Sequence, residues 1–255
     1  MSEFSRGRLA GQSVLVTGAE SGLGRAITLR VAADGGQVTA VGLRTDGLKE
    51  TADLAEKSDG SVTPVTSDIR DPDQMEAAVQ RAVDEYGKLD AAVANAGGSL
   101  APPASLMDTD LDGWKLVVDT NLTGTFITLR AAARQMMSQG NGGHLLATGS
   151  STAIRPMPYM YSYMAAKAGV HQLVRALAVD LAPHNIRVNT IVPGGSATPP
   201  VLAISDYAER NFPTVPMKEL VGPEEIAAIV AFALGDETPH MTGTLLKVDS
   251  GRTSI

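Results

Sequence analysis

The chain has 255 residues, 44% hydrophobic and 19% charged, with a mean hydropathy of +0.03; this describes one large globular domain or two small ones and excludes disordered and fibrous classes. The absence of Cys excludes disulfide scaffolds, thiolate metal sites and cysteine nucleophiles. A net charge of −7, a pI near 5.1 and only ten aromatic residues count against a nucleic-acid or anionic-membrane partner, because phosphate binding needs clustered Lys and Arg and base stacking needs aromatic platforms.

The opening MSEFSRGRLAGQS is polar and lacks the apolar core of a secretory signal, and no later run reaches the ~18 apolar residues of a membrane span, so a cytoplasmic protein is expected. Short β-branched runs then alternate with amphipathic ones. Strands are expected at 13–17, 37–42, 61–66, 90–95, 144–149, 186–192 and 244–249, most of them apolar enough for burial on both faces. Helices are expected at 23–34, 46–57, 72–86, 109–138, 160–182 and 223–234. The alternation predicts an α/β fold, a doubly wound parallel sheet of seven strands with helices on both faces. No linker or internal repeat divides the chain, so a single domain over 1–255 is expected. The one long irregular stretch, about 194–221, is either a substrate loop or a solvated connection.

Directly after the first strand comes TGAESGLGRAI, with Gly18, Gly22 and Gly24 leading into a helix. Strand, glycine turn and helix N-terminus in that order aim backbone N–H groups and the positive end of a helix at one point, which suits a pyrophosphate. Structural turns of similar spacing are common, so the turn alone decides little. Tyr163 and Lys167, in YMAAK, are four apart and share a helix face; an ammonium beside a phenol lowers its pKa toward use as an acid or base. Such a pair on a surface helix is also routine. Its combination with the glycine turn and with Ser150, thirteen residues before Tyr163, favours chemistry.

The order of these motifs resembles the short-chain dehydrogenase/reductase family across essentially the whole chain. The resemblance rests on TGAESGLG (17–24), Asp68–Ile69, ANAG (94–97), Asn121 in TNLTGTF, Ser150, YMAAK (163–167), PGGSAT (193–198) and GTLLKVDSG (243–251). It implies a Rossmann-type domain and a catalytic tetrad of Asn121, Ser150, Tyr163 and Lys167. Tyr163 would exchange a proton with the substrate oxygen and Ser150 would hydrogen-bond that oxygen. Lys167 would bind the nicotinamide ribose and depress the tyrosine pKa, and Asn121 would hold a water linking the lysine to solvent. It further implies a dinucleotide site. Gly18, Ser21, Leu23 and Gly24 would surround the pyrophosphate and Asp68 and Ile69 the adenine. Asn95, Ala96 and Gly97 would meet the adenine-side ribose and central linkage, and Pro193, Gly194, Ser196 and Thr198 the nicotinamide end. The chain departs from the family pattern at Ala94, where an Asn is usual, and at Ser196, where Ile or Val is usual.

The end of the second strand carries Gly42, Leu43 and Arg44 rather than the carboxylate that binds the ribose hydroxyls and repels a 2′-phosphate, which favours NADP over NAD. Against this, Glu20 and Ser21 stand where NADP-preferring relatives often carry Arg or Lys, and Arg44 is nearly as well explained by solvation. The resemblance implies a ketone reductase or secondary alcohol dehydrogenase acting on a small molecule. The alternative is a dinucleotide-sensing or scaffold protein of the same fold. Met157, Tyr159, Met160 and Met164 near Tyr163 suit either an apolar pocket or simple packing. The four His residues lack metal-ligand spacing and read as surface or structural groups. Helices 109–138 and 160–182 are apolar on more than one face, and the family's habit makes a homotetramer the expectation.

Overall fold

The computed structural model describes residues 7–255. Its seven strands are β1 (Ser13–Thr17), β2 (Gln37–Gly42), β3 (Ser61–Thr66), β4 (Ala91–Ala94), β5 (Gly143–Thr148), β6 (Ile186–Pro193) and β7 (Leu245–Val248). All are parallel, in the order β3-β2-β1-β4-β5-β6-β7. The central strands β1, β4 and β6 are buried throughout, so they read as continuous apolar runs rather than alternating ones. β3 is an edge, and only there does a strand tolerate Pro64, which cannot donate to a ladder.

Helices α1 (Gly22–Ala33), α2 (Thr45–Leu54) and α9 (Pro223–Leu234) share one side of the sheet, where α1 and α9 bury Ile27, Val31, Ile226 and Val230. Helices α3 (Pro72–Tyr86), α5 (Gly124–Gln139) and α6 (Tyr161–Leu181) cover the other, around Met75, Leu129, Met136, Val170 and Val174. Local chemistry sets their limits. In α3, Pro72 sits in the first turn, the Asp71 carboxylate accepts from the N–H groups of Asp73 and Gln74, and Gly87 at φ 78° stops the helix.

Two expectations are corrected. The single helix expected at 109–138 is broken: α4 (Leu111–Val118) passes through a π turn, Asp119–Thr123, before α5 resumes. Periodicity cannot detect one widened turn, and such turns cluster at functional sites. The stretch after β6 is less irregular than expected, holding the short helices α7 (Pro199–Leu202) and α8 (Tyr207–Asn211).

The order in which strands are added reverses between β1 and β4, since β2 lies to one side and β5 to the other. A crevice opens there at the carboxyl ends of the strands. Asn95 clamps its base: Nδ2 donates to the Thr17 carbonyl at 3.0 Å and Oδ1 accepts from Thr148 Oγ1 at 3.1 Å. The backbone N–H groups of Asn95 and Ala96 both donate to Thr17 Oγ1 at 3.0 Å. The Asn95 side chain thus joins three strands, β1, β4 and β5. Asn95→Ala should lower stability by about 1–3 kcal/mol through the unpaired groups left behind, read as a lower urea midpoint at unchanged slope.

Candidate active site

β1 delivers the chain into Gly18 at φ +69°, and Gly22 follows at φ +53°. A side chain at Gly24 would collide with the Gly18 carbonyl, and one at Gly18 would come within 2.9 Å of Ala96 Cα. Backbone thus packs on backbone, leaving a shallow cradle. Ser21, exposed at the start of α1, makes no capping bond, and the first turn holds no acidic residue. The N–H groups and positive end of α1 are left for an anion, with Leu23 half-buried behind them. Gly22 faces Thr198 from the far end of the chain, where a Cβ would stand 3.4 Å from Thr198 Cγ2.

At the end of β2 the expected absence of a carboxylate does not hold. Gly42 has no side chain, but the Glu20 carboxylate fills the space above it: a Cβ on Gly42 would collide with Glu20 Oε2, and Glu20 Oε1 accepts from the Leu43 N–H at 3.2 Å. Arg44 is exposed, and its charge helps Arg25 hold the Glu50 carboxyl below its usual range. Further along, the Asp68 carboxylate is paired with Arg70 at 2.6 Å, which lowers its pKa. It lines a cavity of roughly 530 Å³ with Arg70, Asp119 and Thr123. Ile69 is buried beside it and packs against Gly124.

The four expected catalytic residues converge beyond the ends of β4 and β5. Ser150 follows β5, and its Oγ accepts from the Thr152 N–H at 3.2 Å and pairs with Thr152 Oγ1 at 2.8 Å. Tyr163 and Lys167 extend from α6. Burial pushes the phenol pKa up, opposed by a hydrogen bond with Ser150. Lys167 is 2% exposed, donates to the Thr148 carbonyl at 2.7 Å, and burial lowers it to about 8. Its Nζ lies 5.8 Å from the Tyr163 ring centroid. Desolvation is the largest influence on the phenol in this structure. Asn121 is fully buried in the π turn: Nδ2 donates to the carbonyls of Gly98 and Val117, both at 2.9 Å, and Oδ1 accepts from Gly98 N–H at 3.0 Å. Gly97, at φ +145°, is the hinge between them, because a Cβ there would lie 2.5 Å from Asn121 Oδ1 and 3.7 Å from Lys167 Nζ.

Pro193 ends β6, and Gly194 passes so close to Asp249 that a Cβ would stand 2.8 Å from its Cα. Ser196, 7% exposed, donates to the Gly194 carbonyl at 3.3 Å and bridges to Val221, which closes the base of the 194–221 loop. Arg155 and Arg252 tie the loop down through Thr214. Among the methionines, Met164 Sδ accepts from the Met157 N–H at 3.1 Å, while Tyr159 is exposed.

Three residues escaped the sequence reading. His171 takes the structural of its two expected roles, but against Ser150: it is buried and accepts the Ser150 N–H at Nε2 (3.3 Å), a reach that Gly149 permits by lacking a side chain. Its position four after Lys167 was a usable signal. Tyr207, from α8, reaches Gly195 and adds a second half-buried phenol near Tyr163. Glu20 is the third. No group of three or more potential metal ligands assembles among the described residues, and none of their helices is long and apolar enough to cross a membrane.

Strand, glycine turn, buried lysine and neighbouring serine and tyrosine at a topological switch point are the layout of a dinucleotide-binding oxidoreductase fold, and similarity to known proteins gives the family. A family model described as enoyl-(acyl carrier protein) reductase matches residues 18–253. The chain is 37% identical to an uncharacterized oxidoreductase of Mycobacterium tuberculosis, over 95% of this chain and 96% of that one. The crystal structure of a short-chain type dehydrogenase/reductase from Mycobacterium marinum superposes with a TM-score of 0.93 at 33% identity, covering 100% of both chains. Carveol dehydrogenase from Mycobacterium avium, in complex with NAD, gives 0.92 at 31% identity, over 98% of this chain and 100% of that one. The protein belongs to the short-chain dehydrogenase/reductase family and is an NAD(P)-dependent oxidoreductase.

Burial lowers His171 and His144 to about 4, helped by the charges of Lys167 and Arg187 respectively. A histidine whose folded pKa lies below its unfolded value of about 6.5 adds stability above that value and loses it as pH falls. The melting temperature should therefore drop between about pH 6.5 and 4, and His171→Gln should make that drop shallower.

Proposed function

We propose that the protein interconverts a ketone and a secondary alcohol, with Tyr163 as general acid and base. The observation that carries this reading is the convergence of Ser150, Tyr163 and Lys167 beside a turn in which Gly18 and Gly24 let backbone pack on backbone under the uncapped N-terminus of α1. That cradle fits NAD(P): the N-terminus of α1 with Ser21 and Leu23 would take the pyrophosphate, Asp68, Ile69, Ala96 and Gly97 would flank the adenosine half, and Pro193, Gly194, Ser196 and Thr198 the nicotinamide half. The bound nicotinamide supplies or accepts the hydride.

The chain's own groups handle the proton and the developing charge. Burial keeps the Tyr163 phenol protonated near neutrality, ready to donate to the substrate oxygen in reduction. Ser150 hydrogen-bonds the same oxygen, held in place by His171 and Thr152. Lys167, anchored on Thr148, would meet the ribose hydroxyls and restore the phenol's proton. Asn121 braces the turn at Gly97 and Gly98 that faces the lysine. The similarity to carveol dehydrogenase and the methionines flanking Tyr163 support an apolar, cyclic or bulky ketone. Retention of both Tyr163 and Lys167 speaks against a sensor or scaffold.

Assembly as a homotetramer is supported by the outer faces of α5 and α6. Phe126 and Met137 are part-exposed there around an apolar groove of about 190 Å³ that also takes in Leu177 and Leu181. Light scattering should give four times the 26.5 kDa chain mass, and Phe126→Arg should lower it.

Tyr163→Phe should cut kcat for cyclic ketones by about 10²–10⁴-fold while leaving NADH binding by fluorescence within a factor of about two. Turnover that survives this change would overturn the mechanism, and binding without turnover in the unaltered protein would favour the sensor. With Lys167 at about 8, kcat/KM for reduction should fall above pH 8 as the lysine loses its proton.

A further inference from the structure

Glu20 has no place in the chemistry above, yet its carboxylate stands over Gly42 at the carboxyl end of β2. It is held from both sides. Arg25 donates to the Glu20 carbonyl at 2.9 Å, and the Leu43 N–H donates to Oε1 at 3.2 Å. The second oxygen, Oε2, is buried and accepts from no group among the described residues. A carboxylate oxygen left unmatched in this way costs free energy unless another donor meets it.

The nearby cations are differently placed. The Arg25 guanidinium is committed to Glu50, Thr51 and the Glu20 and Gly47 carbonyls, and Arg44 is exposed beside Glu50. Neither bonds the Glu20 carboxylate, so among the described residues Oε2 is left without a donor over Gly42 at the end of β2. An acid at the end of the second strand accepts from the 2′- and 3′-hydroxyls of a dinucleotide's adenosine and repels a 2′-phosphate. Resting on the reading of the glycine turn as a pyrophosphate cradle, we propose that Glu20 supplies this acid from the glycine turn in place of a β2 residue. It is then the residue that makes the protein prefer NAD to NADP. Gly42 is the complement of this arrangement, since any side chain there would evict the carboxylate. The geometry thereby reverses the preference expected from Gly42 and Arg44 in the sequence.

Fluorescence titration of the full chain with NADH and NADPH, without substrate, tests this. The unaltered protein should bind NADH at least about tenfold more tightly, and Glu20→Gln should reduce that ratio by about tenfold, chiefly by tightening NADPH. The Gln amide oxygen can still accept from Leu43, so the melting temperature should stay within a few degrees. Combining Glu20→Ala, which removes the side chain a Gly42 Cβ would meet, with Gly42→Asp should restore the NADH preference by returning a carboxylate to the same place. Equal or tighter NADPH binding by the unaltered protein, or an unchanged ratio in Glu20→Gln, overturns the assignment while leaving the cradle intact. A ratio that moves only in Arg44→Ala does the same. Binding of neither dinucleotide removes the cradle reading, and this proposal with it.

Discussion

Everything in the crevice depends on how closely the backbone at the end of β1 can approach α1 and the end of β4. Gly24 lies against the Gly18 carbonyl, Gly18 against Ala96, and Asn95 ties both strands to β5 through Thr17 and Thr148. Side chains at those glycines would collide with the Gly18 carbonyl and with Ala96, and so push α1 and the end of β4 away from the turn. The constraint is steric, but its consequence is electrostatic. It leaves helix-end donors and a positive dipole beside a crevice with no bulk to screen them.

The same clamp reaches the reacting groups. Thr148, whose hydroxyl bonds Asn95, also offers its carbonyl to Lys167, so the ammonium is anchored to the strand that carries Ser150. The π turn then brings Asn121 under Gly97 and Gly98, fixing the loop that faces the lysine. Neutral His171 closes the circuit by accepting the Ser150 N–H from one turn beyond Lys167. Stability and chemistry are consequently coupled in this region. A lysine and a histidine kept buried beside each other both resist protonation, and each resists it partly because of burial and, for the histidine, because of the other's charge.

Charge is handled differently at the two ends of the crevice. At the phosphate end the chain offers backbone donors and avoids acidic side chains in the first turn of α1, whereas at the end of β2 it places a carboxylate with one oxygen unmatched. On the proposed reading, the first would suit a phosphate and the second would oppose one.

Much of this was legible in the amino-acid order. Strand and helix periodicities, the glycine spacing and the Tyr163–Lys167 interval are local properties, governed by pleat, helical repeat and backbone freedom, and the motif order carries the family and the seven-stranded sheet. What tertiary structure alone decided are features made by distant residues or by geometry without a sequence period. The π turn at Asn121 is one, since a single widened turn leaves the apolar pattern nearly unchanged. The spending of Asn95 on Thr17 and Thr148 is another, because hydrogen-bond partners follow from strand order. Most telling is Glu20: a strand that ends in glycine reads as lacking an acid, and only folding, which lays the glycine turn across the end of β2, puts a carboxylate back in that place.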